Sequence, residues 1–350
     1  MNRLSFASDY ASGCHPEVLC RLTETNLSRS AGYGLDEYSE EAREKIRQAC
    51  RAPEADVFFL AGGTQANAVV IGCLLKPWQG VISAETGHVC GHEAGAVEAG
   101  GHKVLTLPQR EGRLSAEDVR RMLERFRADE ARDHLVEPGM VYISQPTEYG
   151  TLYSLAELTE LSAVCREYGI PLYADGARLA YALGSPENDV TLPDLARLCD
   201  AFTIGGTKCG ALFGEAVVFP RHGTVPHFFT MIKQRGALLA KGFAAGVQFG
   251  ALFTDGLYER IGRRGTEAAA RIRAGLAACG YPLFIDAPTN QVFPVLTPAQ
   301  EEALRKEVDM TFWETLDDGR SVMRLAADWA TREEEVGRLL EAFGRCADLK

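Results

Sequence analysis

The sequence predicts an α/β fold with a mostly parallel sheet, and two features of the chain lead to this prediction. Between residues 50 and 220, short apolar segments alternate with amphipathic helical segments, which is typical of strand–helix–strand units in a parallel sheet. Two charged residues, Asp175 and Lys208, follow two of these apolar segments. Since ligands of open α/β sheets bind outside the carboxyl ends of the strands, the pattern that predicts the fold also places a candidate site.

The chain divides into a large and a small predicted domain. Its 350 residues are enough for one large domain and one smaller one. After about residue 255, the regular alternation gives way to a shorter mixture of helices and strands. We expect a large domain over residues 1–255, which begins with an arm at 1–45, and a compact α+β domain over 256–350.

Apolar runs and capping residues place the elements of the large domain. Gly62-Gly63-Thr64 forms a turn from the first strand into an apolar helix, and Ser154 with Glu157 forms a capping box at the start of a later helix. A helical stretch is expected from about Phe228 to Tyr258. The predicted strands are Val57–Leu60, Val81–Ser83, Lys103–Leu105, Met140–Ser144, Ile170–Ala174, Ala201–Ile204 and Glu215–Phe219.

The small domain is expected to contain both kinds of element. Its last helix is predicted to be capped by Thr331, with Glu334 as the reciprocal partner of a capping box. The other predicted elements are a helix at Thr266–Cys279, a strand at Gln291–Leu296, a helix at Ala299–Lys306, a strand near Phe312 and a strand at Val322–Leu325.

The composition argues against several classes of function. The net charge of −11 and the dispersed Lys and Arg argue against nucleic acid as a partner. No apolar run is long enough to span a bilayer, and no export signal precedes the fold, so we expect no membrane partner. The ten cysteines include no C-x-x-C pair, and no segment has metal-ligand spacing. We therefore expect a cytoplasmic protein that holds no metal.

An acid and a lysine at neighbouring strand ends suit pyridoxal 5'-phosphate (PLP). The lysine of such a site holds the cofactor as a Schiff base, while a carboxylate keeps the pyridine nitrogen protonated. Lys208 stands in an uncharged, glycine-rich segment, where a desolvated amine loses part of its preference for the charged form. The alternatives are an ion pair between Asp175 and Arg178, and a lysine that reaches solvent from a strand end.

Two further segments suit the phosphate and the ring of that cofactor. The turn at Gly62-Gly63-Thr64 presents free N–H groups at a helix N-terminus, which favours an anion, although a tight turn alone also explains the glycines. His88 follows the strand Val81–Ser83, where an imidazole can stack on the ring and transfer protons. A histidine bonded to the backbone of a loop is the alternative.

Two arginines are candidates for anionic partners. Arg178, three residues after Asp175, can donate to the phenolic oxygen of the cofactor if it does not pair with that carboxylate. Arg324 lies inside a predicted apolar strand, where a guanidinium needs a bidentate carboxylate. We interpret Arg324 as the clamp on the α-carboxylate of an amino-acid substrate, with a structural ion pair as the alternative.

Several motifs occur in the order found in one family of PLP enzymes. They are Asp9 after Ser8, the segment Leu60–Asn67, His88 with Glu93-Ala94-Gly95, Asp175-Gly-Ala-Arg178, and Lys208. In these motifs, over nearly its whole length, the chain resembles the low-specificity L-threonine aldolase / β-eliminating lyase family. The resemblance implies the fold-type I, aspartate-aminotransferase-like architecture. It also implies a homodimer or homotetramer with shared active sites, and cleavage of L-threonine, L-allo-threonine or related β-hydroxy-α-amino acids to glycine and an aldehyde.

The resemblance also implies a role for each matching residue. Lys208 would form the Schiff base, Asp175 would bind the pyridine nitrogen, and Arg178 would bind the phenolate oxygen. The other implied roles are the stacked histidine for His88, phosphate binding for Gly63 and Thr64, the carboxylate clamp for Arg324, a place near the substrate for Ser8, and a phosphate contact from the neighbouring subunit for Lys241 or Lys233.

The sequence departs from the family pattern near the expected substrate. Where the family usually has a Thr-His-Asn-Gly-like turn, this chain has Gln145–Gly150, which places Glu148 beside the substrate. The predicted reaction is a PLP-dependent retro-aldol cleavage. His88 is the first choice of base for the β-hydroxyl proton and Glu148 the second. The alternatives are a PLP-dependent β-elimination and a catalytically silent protein of the same fold; no G-x-G-x-x-G motif supports a dinucleotide oxidoreductase.

Overall fold

The computed structural model describes residues 3–349 and has the predicted α/β architecture. The strands within these residues are β1 (Leu4–Ser5), β2 (Asp56–Leu60), β3 (Gln79–Ala84), β4 (Val104–Leu107), β5 (Glu137–Ser144), β6 (Leu172–Asp175), β7 (Ala201–Gly205), β8 (Glu215–Phe219), β9 (Gln291–Val292), β10 (Val295–Leu296), β11 (Val308–Asp309), β12 (Thr311–Thr315) and β13 (Ser321–Ala326).

The α-helices pack around the sheets that these strands form. In chain order within residues 3–349 they are α1 (Pro16–Thr25), α2 (Glu37–Ala49), α3 (Gly63–Leu74), α4 (His88–Gly91), α5 (Ala96–Ala99), α6 (Ala116–Ala128), α7 (Leu155–Tyr168), α8 (Leu179–Leu183), α9 (Leu192–Leu198), α10 (Phe228–Gln234), α11 (Phe243–Leu252), α12 (Leu257–Ala278), α13 (Pro298–Leu304) and α14 (Glu333–Cys346). None of these helices combines the length and the apolar character needed to cross a membrane.

The central sheet has the strand order β2-β8-β7-β6-β5-β3-β4. The five strands from β7 to β4 are parallel to one another, whereas β8 is antiparallel to both of its neighbours. Apolar cores cover both faces of this sheet, as a mostly parallel sheet requires. Since β6 and β7 are parallel neighbours, the residues that follow them emerge at the same edge of the sheet. The order of strands therefore brings the ends of the Asp175 and Lys208 segments together.

The predicted strands of the large domain are confirmed, with bounds that differ by a few residues. The capping box of Ser154 and Glu157 is also confirmed at the start of α7. The prediction of one helical stretch from Phe228 to Tyr258 was wrong, because two non-helical segments divide it into α10, α11 and the start of α12. Gly256, with φ of 67°, ends the second of these segments.

A second group of strands packs with α12, α13 and α14 around a separate apolar core. The predicted strand Gln291–Leu296 is two short strands, β9 and β10, on either side of Pro294. Thr331 does not cap the last helix, because its hydroxyl donates to Asp328 and α14 begins at Glu333. The strand β1 pairs with β11 of this group. Residues of α12 belong to both cores, and the division at residue 256 stays a prediction.

Candidate active site

Two adjoining cavities lie at the carboxyl ends of the central strands. The inner one, of about 300 Å³, is lined by the glycine turn before α3, by the end of β6 and by the segment after β7. The outer one, of about 490 Å³, reaches β12 and β13. Five residues line both cavities and so mark the boundary between them: Tyr10, His88, Glu148, Arg178 and Lys208.

Asp175 ends β6 at the floor of the inner cavity and is buried. Its Oδ2 accepts hydrogen bonds from Asn67 Nδ2 and from the Tyr142 hydroxyl, both at 2.8 Å. Its Oδ1 accepts the N–H of Ala177 at 2.9 Å and the hydroxyl of Thr203 at 3.4 Å. Burial, together with the charge of Asp175, raises the pKa of Tyr142 well above its ordinary value, so this hydroxyl remains a donor. These donors hold the carboxylate in one orientation.

Lys208 follows β7 and is half-buried in the same cavity. Within residues 3–349 no carboxylate forms a salt bridge with its amine. Burial lowers the pKa of Lys208, and the nearby positive charge of Arg178 lowers it further. Glu215, the first residue of β8, lines the cavity as well, and burial raises the pKa of its carboxyl. A lowered pKa increases the share of the neutral, nucleophilic amine, so this environment favours a covalent bond to a carbonyl carbon.

The glycine turn before α3 leaves room beside the backbone. A Cβ atom built on Gly62 or Gly63 would meet no heavy atom within 4 Å. No side chain caps the start of this 12-residue helix, and Gly62, Gly63 and Thr64 line the cavity at its N-terminus. Uncapped N–H groups and the positive end of the helix dipole favour a phosphate at this position.

His88 begins α4 and is held from two directions. Its backbone N–H donates to Glu148 Oε1 at 2.8 Å, and its ring nitrogen Nδ1 lies 2.7 Å from Glu93 Oε1. The Ser144 hydroxyl donates to the same Oε1 of Glu148 at 2.6 Å. Burial raises the pKa of Glu148, which brings this carboxyl closer to the range in which it can exchange protons near neutral pH.

Arg178 forms a buried, two-point ion pair with Asp9. Its Nε lies 2.6 Å from Asp9 Oδ2 and its Nη2 lies 3.1 Å from Asp9 Oδ1. Asn290 Nδ2 donates to the same carboxylate at 2.9 Å. Burial alone would raise the pKa of Asp9, but the charges of Arg178 and Lys208 hold it well below its ordinary value. The alternative in which Arg178 pairs with Asp175 was wrong, because Asp9 takes that place.

Arg324 lies in β13 at the far end of the outer cavity. Its Nη2 donates to the carbonyl of Ala7 at 3.1 Å, and its guanidinium lies 5.6 Å from the ring centroid of Trp313. In the part of the chain that the structure describes, no carboxylate pairs with it, and its buried Nε has no hydrogen-bond partner. Burial lowers the pKa of Arg324 to about 10. A buried guanidinium with no counterion is ready to bind an anionic group of a ligand.

The residues of the inner cavity fit PLP. The open space beside Gly62 and Gly63 suits its phosphate, the amine of Lys208 suits its aldehyde carbon, and the carboxylate of Asp175 suits its pyridine nitrogen. All of these groups line one cavity, and Asp175 and Lys208 stand at or after the ends of two adjacent parallel strands. Nothing else in the fold offers these functions together within the described residues.

Some predicted site residues lie outside the linings of both cavities. Ser8 is half-buried next to Asp9, and the lining residue of that segment is Tyr10. Lys241 is exposed on the surface, and Lys233 lies with its amine 4.5 Å from the ring centroid of Tyr33. The roles expected for Ser8 and Lys241 therefore stay predictions.

Sequence reasoning assigned no role to several residues that support the site. Asp9, Asn67 and Glu93 belong to the quoted motifs, but their contacts depend on which strands are neighbours. Tyr142 and Glu215 also approach the site only through the order of strands in the sheet. The available signal was the polar character of these residues within apolar segments, since a buried polar side chain needs a partner.

The chain is similar to known proteins over most of its length. Residues 5–298 match the family model described as beta-eliminating lyase. A low specificity L-threonine aldolase from Pseudomonas sp. (strain NCIMB 10558) is 31% identical over 341 residues, which cover 95% of each chain. A solved structure of Leishmania major threonine aldolase is 43% identical, with a TM-score of 0.94 over 98% of this chain and 99% of that one. A Thermus thermophilus aspartate aminotransferase, 17% identical, has a TM-score of 0.73 over 99% and 92% of the two chains, which shows a shared fold.

The ion pair of Asp9 and Arg178 predicts a loss of stability when its charge is removed. Because the substitution Asp9→Asn leaves a buried guanidinium without its carboxylate, we expect the free energy of unfolding at pH 7 to fall by about 3–5 kcal/mol. The folded pKa of Asp9 lies below its unfolded value of about 3.9. The pair therefore stabilises the fold fully above that pH, and its contribution is lost as the pH falls further.

Denaturant unfolding at several pH values measures both effects. The difference between the wild type and Asp9→Asn should be largest near neutral pH and should shrink below about pH 4. Asp318→Asn, which removes an exposed partner of Arg320, is the matched control and should leave the midpoint unchanged. Equal midpoints for wild type and Asp9→Asn at pH 7 would show that the pair does not stabilise the fold.

Proposed function

This chain belongs to the beta-eliminating lyase family of PLP-dependent enzymes, and from that premise we propose that it cleaves β-hydroxy-α-amino acids to glycine and an aldehyde. L-threonine and L-allo-threonine are the proposed substrates of this class. The observation that carries the proposal is that Lys208 and Asp175 line the same inner cavity, with Arg324 in the lining of the adjoining outer cavity. The threonine aldolases to which the chain is similar support the choice of substrate.

The inner cavity would hold the cofactor. When bound, PLP supplies an electron-accepting ring to which the amino group of the substrate is joined. Lys208 attaches the cofactor, and Asp175 holds a proton at its pyridine nitrogen. The N–H groups of Gly63 and Thr64 bind the phosphate. Arg178 keeps its third guanidinium nitrogen, Nη1, free for the phenolic oxygen, since its other two are bound to Asp9.

The outer cavity would hold the substrate. Arg324 binds the α-carboxylate with two parallel hydrogen bonds, which orients the bond between Cα and Cβ relative to the cofactor. Tyr149 and Trp313 line the same cavity and would exclude water from the bound substrate.

A base must remove the proton from the β-hydroxyl oxygen. His88 remains our first choice, because no hydrogen bond from residues 3–349 reaches its Nε2, while its Nδ1 is bound to Glu93. Glu148 is the second choice. Its Oε1 is occupied by two donors, and burial raises its pKa. We propose that Glu148 binds the hydroxyl group and that His88 takes the proton.

We also propose that the protein is cytoplasmic and that two copies assemble around the sites, as a homodimer or as half of a homotetramer. The cations that line the inner cavity of one chain, within its described residues, are Lys208 and Arg178, and the proposed roles commit both of them to other parts of the cofactor. A phosphate group then lacks a cationic partner from its own chain. Lys241, on the exposed segment between α10 and α11, can supply this charge to the site of a second copy.

The first prediction concerns the cofactor and the products. Lys208→Ala should lose the visible absorption band of the bound cofactor, and its kcat should fall by roughly 10³- to 10⁶-fold, as for other groups that bond covalently during catalysis. Wild-type enzyme incubated with L-threonine should release glycine and acetaldehyde. Ammonia and a 2-oxo acid as the only products would instead identify a β-elimination.

A second prediction concerns the carboxylate clamp. Arg324→Lys keeps the charge but loses the two-point geometry, so kcat/KM should fall by about 10- to 100-fold, mainly through KM. Arg320→Lys is the matched control, because Arg320 is bound to the exposed Asp318 in the turn before the same strand. If both substitutions leave KM unchanged, Arg324 does not bind the substrate.

A third prediction tests the contribution of the second copy. Lys241→Ala and Lys208→Ala should each be impaired alone, but a mixture of the two should regain activity. In a mixed dimer, one site has its own Lys208 and receives Lys241 from the partner, so about one quarter of all sites are complete after random reassortment. Lys233→Ala serves as the comparison for the other candidate. No recovery on mixing would show that Lys241 does not act across an interface.

A further inference from the structure

Glu93 is a buried carboxyl group that the proposed reaction does not use directly. It lies between α4 and α5, behind His88, and is not part of either cavity lining. The side chain is fully enclosed, at 0% exposure, whereas that of His88 is 32% exposed. A carboxyl group is costly to enclose, so its contacts indicate what it does.

One oxygen of Glu93 lies within hydrogen-bond distance of two nitrogen atoms, and the other has no partner among residues 3–349. Oε1 lies 2.7 Å from His88 Nδ1 and accepts a hydrogen bond of 2.7 Å from Asn67 Nδ2. Oε2 is buried without a hydrogen-bond partner among residues 3–349. This arrangement therefore does not satisfy both oxygens of the carboxyl group. It places a single acceptor oxygen against the ring of His88.

Asn67 explains why that oxygen has a fixed position. The Asn67 Oδ1 accepts the hydroxyl of Tyr173 at 2.6 Å, which sets the orientation of the amide group. Its NH₂ group then donates one hydrogen bond to Glu93 and one, of 2.8 Å, to Asp175 Oδ2. An NH₂ group has two hydrogens, so Asn67 serves both carboxyl groups and holds them apart. A continuous path of hydrogen bonds thus joins Asp175 to His88.

This contact determines the tautomer of His88. A carboxylate oxygen only accepts hydrogen bonds, so the nitrogen beside it must carry the proton. The proton of a neutral His88 therefore stays on Nδ1, and Nε2 keeps a free lone pair. A histidine held in this way by a buried carboxylate is oriented and ready to accept a proton at its other nitrogen.

We propose that Glu93 is a positioning residue that fixes His88 in the Nδ1–H tautomer, so that Nε2 can accept a proton from the substrate. This inference rests on the proposed function only for the identity of the proton donor. Asn67 donates hydrogen bonds to both Glu93 and Asp175. The same network therefore orients His88 and the carboxylate proposed to bind the pyridine nitrogen.

The substitution Glu93→Gln tests the proposal because glutamine has the same size but can present its NH₂ group to Nδ1. The ring ¹⁵N NMR signals of His88, identified by their loss in His88→Asn, should show protonated Nδ1 in the wild type and a share of protonated Nε2 in the variant. The cofactor absorption band should be retained, while kcat should fall by roughly 10- to 100-fold with little change in KM. Glu98→Gln, an exposed change in the same region, is the matched control.

Each result separates the possible explanations. An unchanged His88 tautomer in Glu93→Gln, with kcat equal to that of Glu98→Gln, would overturn the proposal. If the variant does not fold, the tautomer of the wild-type protein still decides, since protonated Nε2 there would overturn the proposal by itself. If the wild type cleaves no β-hydroxy amino acid, the proposed function fails, whereas the NMR result on His88 still tests the positioning role of Glu93.

Discussion

The buried carboxylate of Asp175 is the constraint to which the rest of the site is adapted. It receives hydrogen bonds from a helix side chain, a strand hydroxyl, a backbone N–H and a hydroxyl of the neighbouring strand. These donors come from α3, β5, the segment after β6, and β7. A buried charge is stable only with such partners, so the packing of these elements and the charge of the site depend on each other. Moving any one of these elements would leave the carboxylate short of a donor.

The charged side chains of the two cavities differ in whether a carboxylate of the protein pairs with them. Arg178 forms an ion pair with Asp9, whereas Arg324 has no carboxylate partner within the described residues. Burial lowers the pKa of Lys208. The paired arginine shapes the boundary between the two cavities. The two less satisfied cations face the places where a ligand would bring an aldehyde and a carboxylate. Groups that the protein itself leaves incompletely satisfied thus mark the positions for cofactor and substrate.

The sequence predicts the strand segments and the main chemical groups, because each depends on local patterns. The turn at Gly62–Thr64, Asp175 and Lys208 each come within a few residues of the end of an apolar run, and such runs are visible without a structure. By contrast, the partners of Asp175 come from residues 67, 142 and 203, and no local pattern reveals which strands are neighbours. The breaks in the Phe228–Tyr258 stretch were also missed, although Gly236 and Gly256, both at positive φ, are local signals for the ends of helices. The pairing of Arg178 with Asp9 joins residues 169 positions apart and was likewise beyond sequence reasoning.

The central claim is that the amine of Lys208 bonds covalently to the cofactor above Asp175. Reduction of the purified holoprotein with borohydride would make that bond permanent, and peptide mass spectrometry would then locate it. The account predicts the added mass of the reduced cofactor on the peptide that contains Lys208. Added mass on a different lysine, or none on a protein that retains the cofactor, would contradict the account.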